Sequence, residues 1–396
     1  MREKSSSILH VDMDSFFASV EVRDGTATAG RPVAVVGHGA RGVVLSATYE
    51  ARSFGLRAAM PVGQARRICP EAEFVRPRFG AYRKYSKAVM EILGGFSPLV
   101  EQASLDEAYV DVTGAHRLFG SAIEIAQEVK ARIACELGLP ASVGGGPSKA
   151  IAKLASELAK PNGILIVDRE QVTQFLEPLE VRYLSGVGTS TLKTLASMGI
   201  RKVGELAATP LESLTSRLGE SQGEYLHNLA LGNDNRPIEP FRPAKSLSHE
   251  RTFEIDLESD TLIERELLRL SEALARRLRR AGLSAKTFGL KVRLASMKTL
   301  SRSRTLEDPA DSTPAITETA RELYRALKLD KPRIRLLGVS ASGLVRGSFV
   351  RAQLALDNGG APDWRAAERA SDEVRRRFGE DAIGIASLRN DDRDED

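Results

Sequence analysis

The chain has 396 residues, 42% hydrophobic and 28% charged, which fits a folded protein of roughly two to four domains and excludes a disordered or low-complexity chain. The formal net charge is only +4, with a sequence pI near 9.0, so a polyanionic partner would have to be met by clustered cations. Cys69 and Cys135 lie far apart without metal-ligand spacing, and no apolar run suits a signal peptide or membrane span, which predicts a cytoplasmic protein without a disulfide frame.

In chain order, residues 8–11 are apolar and end in Asp12-Met13-Asp14, predicting a buried strand that delivers acids at its C-terminal end. Residues 15–22 predict a turn into a short helix. Strands are expected at 32–37 and 42–47 around a Gly-rich turn, set in an inserted subdomain. A helix is expected over 81–93, then two short strands over 100–112, a hairpin around Ser104-Leu105-Asp106-Glu107. Leu118, Ile125, Val129, Ile133 and Leu137 follow a helical period over 116–137. Gly144-Gly145-Gly146 reads as a loose turn before a helix at 149–159, and after the break Lys160-Pro161-Asn162-Gly163 a strand at 164–167 closes the unit. Strand, helix, two strands, helix, strand is the ferredoxin-like order.

Residues 168–239 predict short helices without strand signal, followed by a linker at 236–240. Beyond 245 come a strand at 251–255, a long amphipathic helix at 262–283, a strand at 287–294, a helix at 317–327 and a strand at 333–339. This is a second, small α+β domain. After 345 order is expected to decline, with a loop at 357–362, a helix through 377 and a solvated acidic end at 391–396. There are no internal repeats.

A hard divalent cation binds carboxylate oxygens, and two such ions about 3.5–4 Å apart can clamp the attacking and leaving oxygens of phosphoryl transfer. Asp12 ends the first strand, Asp106 and Glu107 sit at the hairpin, and a ferredoxin-like sheet can set the two places side by side, with the Met13 carbonyl as a further oxygen. Any one of these acids alone reads as a solvated turn residue. From Lys286 to Arg304 there are six cations and no acid, and residues 245–346 hold 21 Lys/Arg against 14 Asp/Glu. There Lys291 and Arg293 alternate with apolar residues at strand period, and Arg302 and Arg304 repeat the alternation, predicting a basic sheet face suited to a phosphate backbone. About five neutralised phosphates would give a salt slope near −4 to −5.

Four motifs carry a family resemblance. Asp12-Met13-Asp14-Ser15-Phe16-Phe17-Ala18-Ser19-Val20-Glu21 resembles the opening motif of Y-family translesion DNA polymerases, and Ser104-Leu105-Asp106-Glu107-Ala108-Tyr109 their second catalytic motif. Ser46-Ala47-Thr48-Tyr49-Glu50-Ala51-Arg52, followed by Phe54-Gly55, is similar to their nucleotide-contacting finger motif. Residues 149–163, ending in Ala159-Lys160-Pro161-Asn162-Gly163, resemble their last palm motif, although Gly144 to Gly146 are richer in glycine than is usual there. The order and spacing are similar to those of the bacterial DNA polymerase IV (DinB) branch, over roughly residues 7 to 345.

The resemblance implies an α+β right-hand polymerase: a ferredoxin-like palm (1–18 and 79–167), small fingers (19–78), a helical thumb (168–240), a separate α+β little finger (241–346) and a C-terminal tail (347–396). It implies that Asp12, Asp106 and Glu107 are catalytic and, with Met13, hold two Mg2+ ions. Phe17 would be the gate against ribonucleotides, with Phe16 beside it or in the core. Ser46, Tyr49, Arg52 and Lys160 would contact the dNTP triphosphate, while Asp14 matches a family position that serves either metal or structure. Gly186 and Gly188, in a turn between helices, would hold a phosphate of the primer-template DNA. The stretch 351–357 resembles a sliding-clamp-binding peptide through Gln353, Leu354 and Leu356, but ends in Asp357 where an apolar or aromatic residue is usual. The expected activity is low-fidelity translesion synthesis without proofreading, by a monomer with no membrane association. The rivals are a catalytically inactive DNA- or clamp-binding scaffold and a nucleotidyl cyclase.

Overall fold

A computed structural model describes residues 7–347 and 364–388. The chain divides into two compact units, Met1–Arg242 and Pro243–Asp396, with the break just past the stretch read as a linker. Among the described residues no helix is long and apolar enough to cross a membrane.

Among the described residues the first unit holds eight strands: β1 (Ile8–Met13), β2 (Val33–Val36), β3 (Val44–Ala47), β4 (Glu73–Val75), β5 (Val100–Gln102), β6 (Glu107–Asp111), β7 (Ala141–Gly146) and β8 (Ile164–Ile166). The larger sheet runs β5-β6-β1-β7-β8. β1 is buried along its whole length, and its alternation sorts the two faces. Leu9, Val11 and Met13 enter the apolar core with Tyr82, Val89, Ile92 and Leu93 of the Phe79–Gly94 helix and Ile125, Ala126 and Val129 of the Ala122–Arg132 helix. His10 and Asp12 fall on the opposite face.

The closing strand of the ferredoxin-like set is β7, not the expected strand at 164–167. β7 pairs antiparallel with β1, and β8 is added outside it, parallel to β7. The glycines expected to form a loose turn are therefore strand interior. A Cβ on Gly144 would lie 2.1 Å from both the Ala152 carbonyl oxygen and the Ser156 nitrogen, so the Lys149–Ala159 helix presses directly on the strand backbone. Strand propensity misses such a segment because the packing partner is another element's main chain. The helix expected over 116–137 is interrupted at Gly120, with φ of +85°. It restarts at Ala122 behind a capping box of Ser121 and Glu124.

The inserted subdomain has a third strand beyond the two expected, in the order β3-β2-β4, and carries the Tyr49–Ser53 and Val62–Ile68 helices. Residues 168–232 form short helices around Leu195, Leu206, Leu214 and Leu226.

The second unit is an antiparallel sheet of long strands, β9 (Ser246–Leu257), β10 (Leu283–Leu294), β11 (Thr299–Ala310) and β12 (Ile334–Arg346), in the order β11-β10-β12-β9. Phe288, Leu290, Val292, Leu337 and Val339 pack with Ile263, Leu267, Leu270 and Leu274 of the Asp260–Arg280 helix. The helix Trp364–Phe378 docks by charge: Arg279 reaches Glu368 at 3.2 Å and Asp372 at 2.7 Å, and Arg375 reaches Glu272 at 2.7 Å.

Candidate active site

The strand pairing brings the distant acids together. Asp12 and Glu107 are direct partners across the β1–β6 ladder, so their side chains share a face, and the Met13 N–H donates to the Asp106 carbonyl at 3.0 Å. Asp106 sits in the tight turn between β5 and β6, where the Ser104 hydroxyl donates to its Oδ1 at 2.5 Å and accepts the Glu107 N–H at 3.0 Å. Burial pushes the Asp12 carboxyl up to about 6, against the pull of Lys160 and with the push of Glu107 and Asp106. His10 at 3.7 Å and the Lys153 ammonium at 2.6 Å hold Glu107 down at about 2.

The close approach over Gly144 lets the Lys149–Ala159 helix and the residue after it lay three lysines across three strands. Lys149 reaches Glu101 of β5 at 2.6 Å, Lys153 reaches Glu107 of β6 at 2.6 Å, and Lys160 reaches Asp12 of β1 at 2.8 Å. Among the described residues, no three acidic, histidine or cysteine side chains form a ready-made metal cage. Asp12 and Glu107 each meet a lysine instead. Carboxylate oxygens on adjacent strand ends, open to one cleft, still suit a hard divalent ion that keeps waters in its shell.

That cleft encloses about 640 Å³. It is lined by Asp12, Met13, Asp106 and Glu107, by Phe16 and Phe17, and by Ser46, Tyr49, Arg52 and Lys160. The structure thus brings together every residue expected at the metal and nucleotide positions. Arg57 lines it as well, a cation the sequence did not single out; its guanidinium donates to the Arg52 carbonyl at 2.6 Å. Arg52 stacks over the Tyr49 ring at 4.7 Å and donates to the Ala47 carbonyl at 3.0 Å. Phe16 is 3% exposed and mostly committed to the core. Phe17 lies flat on Tyr82, with ring centroids 4.3 Å apart and planes 10° apart, and meets Phe79 edge-on at 5.9 Å. Tyr82 is fixed in turn by donating to the buried Glu21 at 2.5 Å. His10, Tyr82 and Lys153 were missed in the sequence, since a lone residue in a core strand or helix carries no signal of what it will face.

Gly186 has φ of +90°, and Gly188 caps the Thr189–Ser197 helix, leaving first-turn N–H groups at the turn. In the second unit one expectation is corrected. Register sets Leu290 opposite Arg302 and Phe288 opposite Arg304, and direct partners share a face. Arg302 and Arg304 therefore lie on the helix-covered side, where Arg304 pairs with Glu322. Only Lys291 and Arg293 of the four face the open side, and Lys291 is held by Glu250 at 2.9 Å. The open face is instead dominated by hydroxyls. Successive rows across the sheet read Thr305, Thr287, Ser342, Ser246 and Ser303, Gly289, Ser340, Ser248. Clamp-peptide residues Gln353, Leu354 and Leu356 lie outside the described residues.

A right-hand arrangement with carboxylates on a ferredoxin-like palm and a cationic cleft beside them defines a DNA-directed DNA polymerase. The impB/mucB/samB family matches residues 11–157 and its C-terminal domain matches 244–356, while the thumb domain described for DNA polymerase-iota matches 182–234. A DNA polymerase IV of Desulfatibacillum aliphaticivorans is 40% identical over 97% of both chains. One of Dehalococcoides mccartyi (strain CBDB1) is 43% identical over 85% of this chain and 86% of its own. A Y-family DNA polymerase chimera superposes with a TM-score of 0.80 at 26% identity, covering 86% of this chain and all of the chimera. The chain belongs to the Y-family DNA polymerases, in their bacterial DNA polymerase IV branch. It carries out translesion DNA synthesis, an activity that implies primer-template DNA and dNTP substrates, and Y-family DNA polymerases are metal-dependent. These relatives give no support to the non-catalytic alternative.

Proposed function

We propose that synthesis proceeds by two-metal nucleotidyl transfer, with two Mg2+ ions held by Asp12, Asp106, Glu107 and the Met13 carbonyl. When bound, the ions acidify the primer 3′-hydroxyl and neutralise the triphosphate and the departing pyrophosphate. The single observation that carries this reading is that one cleft gathers the three acids with Tyr49, Arg52 and Lys160. Arg52 offers a planar fork to the phosphates and Lys160 a point charge that can exchange the Asp12 carboxylate for phosphate oxygen. Ser46 adds a hydroxyl donor. Phe17, backed by Tyr82, closes the space a 2′-hydroxyl would need.

In this reading the palm spans 1–18 and 79–167, the fingers 19–78, the thumb 168–240 and the little finger 241–346. The turn at Gly186 and Gly188 and the open face of the second unit hold the duplex through its phosphates, contacts that carry no sequence information. The enzyme acts as a monomer in the cytoplasm and is brought to DNA by a sliding clamp through Gln353, Leu354 and Leu356.

The test is primer extension with Mg2+ and each dNTP. Asp106→Ala should abolish extension while leaving primer-template affinity within about twofold, because Asp106 lies in an exposed turn away from the packed core. Extension by Asp106→Ala at the parental rate would remove the metal assignment.

A further inference from the structure

The cleft is assembled from three segments far apart in the chain: the end of β1, the Tyr49–Ser53 helix and the turn at residues 160–163. One side chain touches all three. Asp14, two residues past Asp12, is 2% exposed and does not line the cleft. Its Oδ1 accepts the Tyr49 hydroxyl at 3.0 Å, and its Oδ2 accepts the Asn162 N–H at 2.8 Å. The Ser142 hydroxyl, on β7, lies 3.1 and 3.0 Å from the two oxygens. The main chain of Asp14 is held as well. Its N–H donates to the Pro140 carbonyl at 3.0 Å, and its own carbonyl accepts the Ser19 hydroxyl at 2.7 Å.

What hangs from this carboxylate matters for the nucleotide. The Tyr49 ring, fixed through its hydroxyl, is the platform on which Arg52 stacks. Asn162 sits two residues after Lys160 with φ of +50°, and its carbonyl accepts from the Lys130 ammonium, so that turn is gripped through both backbone polar groups of one residue. Two cations of the cleft therefore take their positions from one buried acid on the rigid palm. The donors to Asp14 are all neutral, the Tyr49 and Ser142 hydroxyls and the Asn162 N–H, which is the environment of a strut and not of a metal ligand.

We propose that Asp14 is a positioning residue for the incoming nucleotide. It sets the Tyr49–Arg52 stack of the fingers and the Lys160 turn of the palm at a fixed spacing around the triphosphate, and it does not bind metal. The inference rests on the nucleotide reading of the cleft given above. Small displacements of positioning groups are costly in phosphoryl transfer, where alignment supplies much of the rate.

The experiment is single-nucleotide incorporation by the full-length enzyme, with dNTP and Mg2+ varied separately, for Asp14→Asn, Tyr49→Phe, the double variant and Arg52→Ala. Asparagine keeps the volume but places an NH2 where an acceptor is required. Asp14→Asn and Tyr49→Phe should each raise the dNTP KM about tenfold, the scale of one hydrogen bond to a charged group. The Mg2+ concentration for half-maximal rate should not move. Because both variants disturb the shared Tyr49–Asp14 bond, the double variant should fall short of the product of the single effects. A higher Mg2+ requirement in Asp14→Asn, effects that multiply, or an unchanged KM would each overturn the proposal. If Asp14→Asn does not fold, Ser142→Ala, which removes a donor to the same carboxylate, must raise the dNTP KM at constant Mg2+ requirement; an unchanged KM there also overturns it. Should Arg52→Ala leave the dNTP KM unchanged, the nucleotide reading of the cleft itself fails. If Arg52→Ala raises it and Asp14→Asn does not, only the role of Asp14 is lost.

Discussion

At the scale of single residues, the face of β1 that carries Asp12 meets a charged layer, partly buried between the sheet and the Lys149–Ala159 helix. Buried charge persists only when it is paired and hydrogen-bonded, and here Lys149, Lys153 and Lys160 each meet one acid on successive strands. Similar support holds Phe17, the proposed gate. Phe17 is stiff because Tyr82 lies beneath it, and Tyr82 is stiff because Glu21 accepts its hydroxyl while Arg78 holds Glu21 at 2.8 Å. Phe17→Ala should therefore raise the ratio of ribonucleotide to deoxynucleotide incorporation. Tyr82→Ala, one layer down, should raise it by a smaller factor, both measured as kcat/KM ratios on one template. Sugar selection unaffected by Phe17→Ala would end the gate assignment. The motif singles out Phe17. It does not show the support, because Tyr82 is one aromatic among many on an amphipathic helix until the fold shows what it touches.

At the scale of elements, two contacts decide where chemistry occurs. The first is the Lys149–Ala159 helix on β7. Adding one methyl at Gly144 drives a Cβ to 2.1 Å from helix backbone, which cannot move aside as a side chain would. Gly144→Ala should cost about 3 kcal/mol of stability, the upper end for overpacking. It should also lower extension activity in whatever protein remains folded, because Lys153 and Lys160 ride on the displaced helix. Thermal unfolding and extension assays check both. A variant as stable and active as the parent would mean that the helix does not seat this closely. The second contact is the little-finger sheet. A period of two puts Lys291 and Arg293 on one face, but the face taken by the neighbouring strand depends on register, which a hairpin can shift by one residue. Here register turns Arg302 and Arg304 away. The double variant Lys291→Ala/Arg293→Ala should make the slope of log affinity against log salt shallower by about 1–2, roughly one unit for each phosphate left without its cation. Arg302→Ala/Arg304→Ala should leave the slope unchanged. Equal losses from the two pairs would contradict the assignment of faces. If this face meets DNA as proposed, the hydroxyl rows offer short, uncharged donors to phosphate, and binding there should be less sensitive to salt than on a carpet of lysines.

For the whole molecule, charge is sorted between parts. Residues 245–346 hold seven more cations than acids, above the +4 of the entire chain, so the rest is slightly acidic. Only part of that excess faces the open sheet. Arg279 is instead used to dock the Trp364–Phe378 helix, whose own Arg375 reaches back to Glu272, and Glu368 accepts the Thr313 N–H at the start of another helix at 2.8 Å. Pull-down with a sliding clamp should be weakened by Gln353→Ala and Leu354→Ala, with extension on short templates preserved. Retention at the parental level would exclude this peptide as the anchor.

The sequence by itself determined the order of elements in the palm up to the hairpin, the acids at strand ends and the motif residues of the cleft. Those signals are local: apolar period, turn residues, and short runs whose chemistry sits in adjacent positions. Tertiary structure alone decided that Ala141–Gly146 is the strand closing the palm and that the glycines there serve a helix pressed against them. It also decided that Asp14 contacts Tyr49 and that Arg302 and Arg304 lie on the sheet face opposite Lys291 and Arg293. Each of these depends on which main chain, acid or strand face lies opposite. Such neighbours are set by packing and register between segments tens of residues apart, which no local pattern encodes.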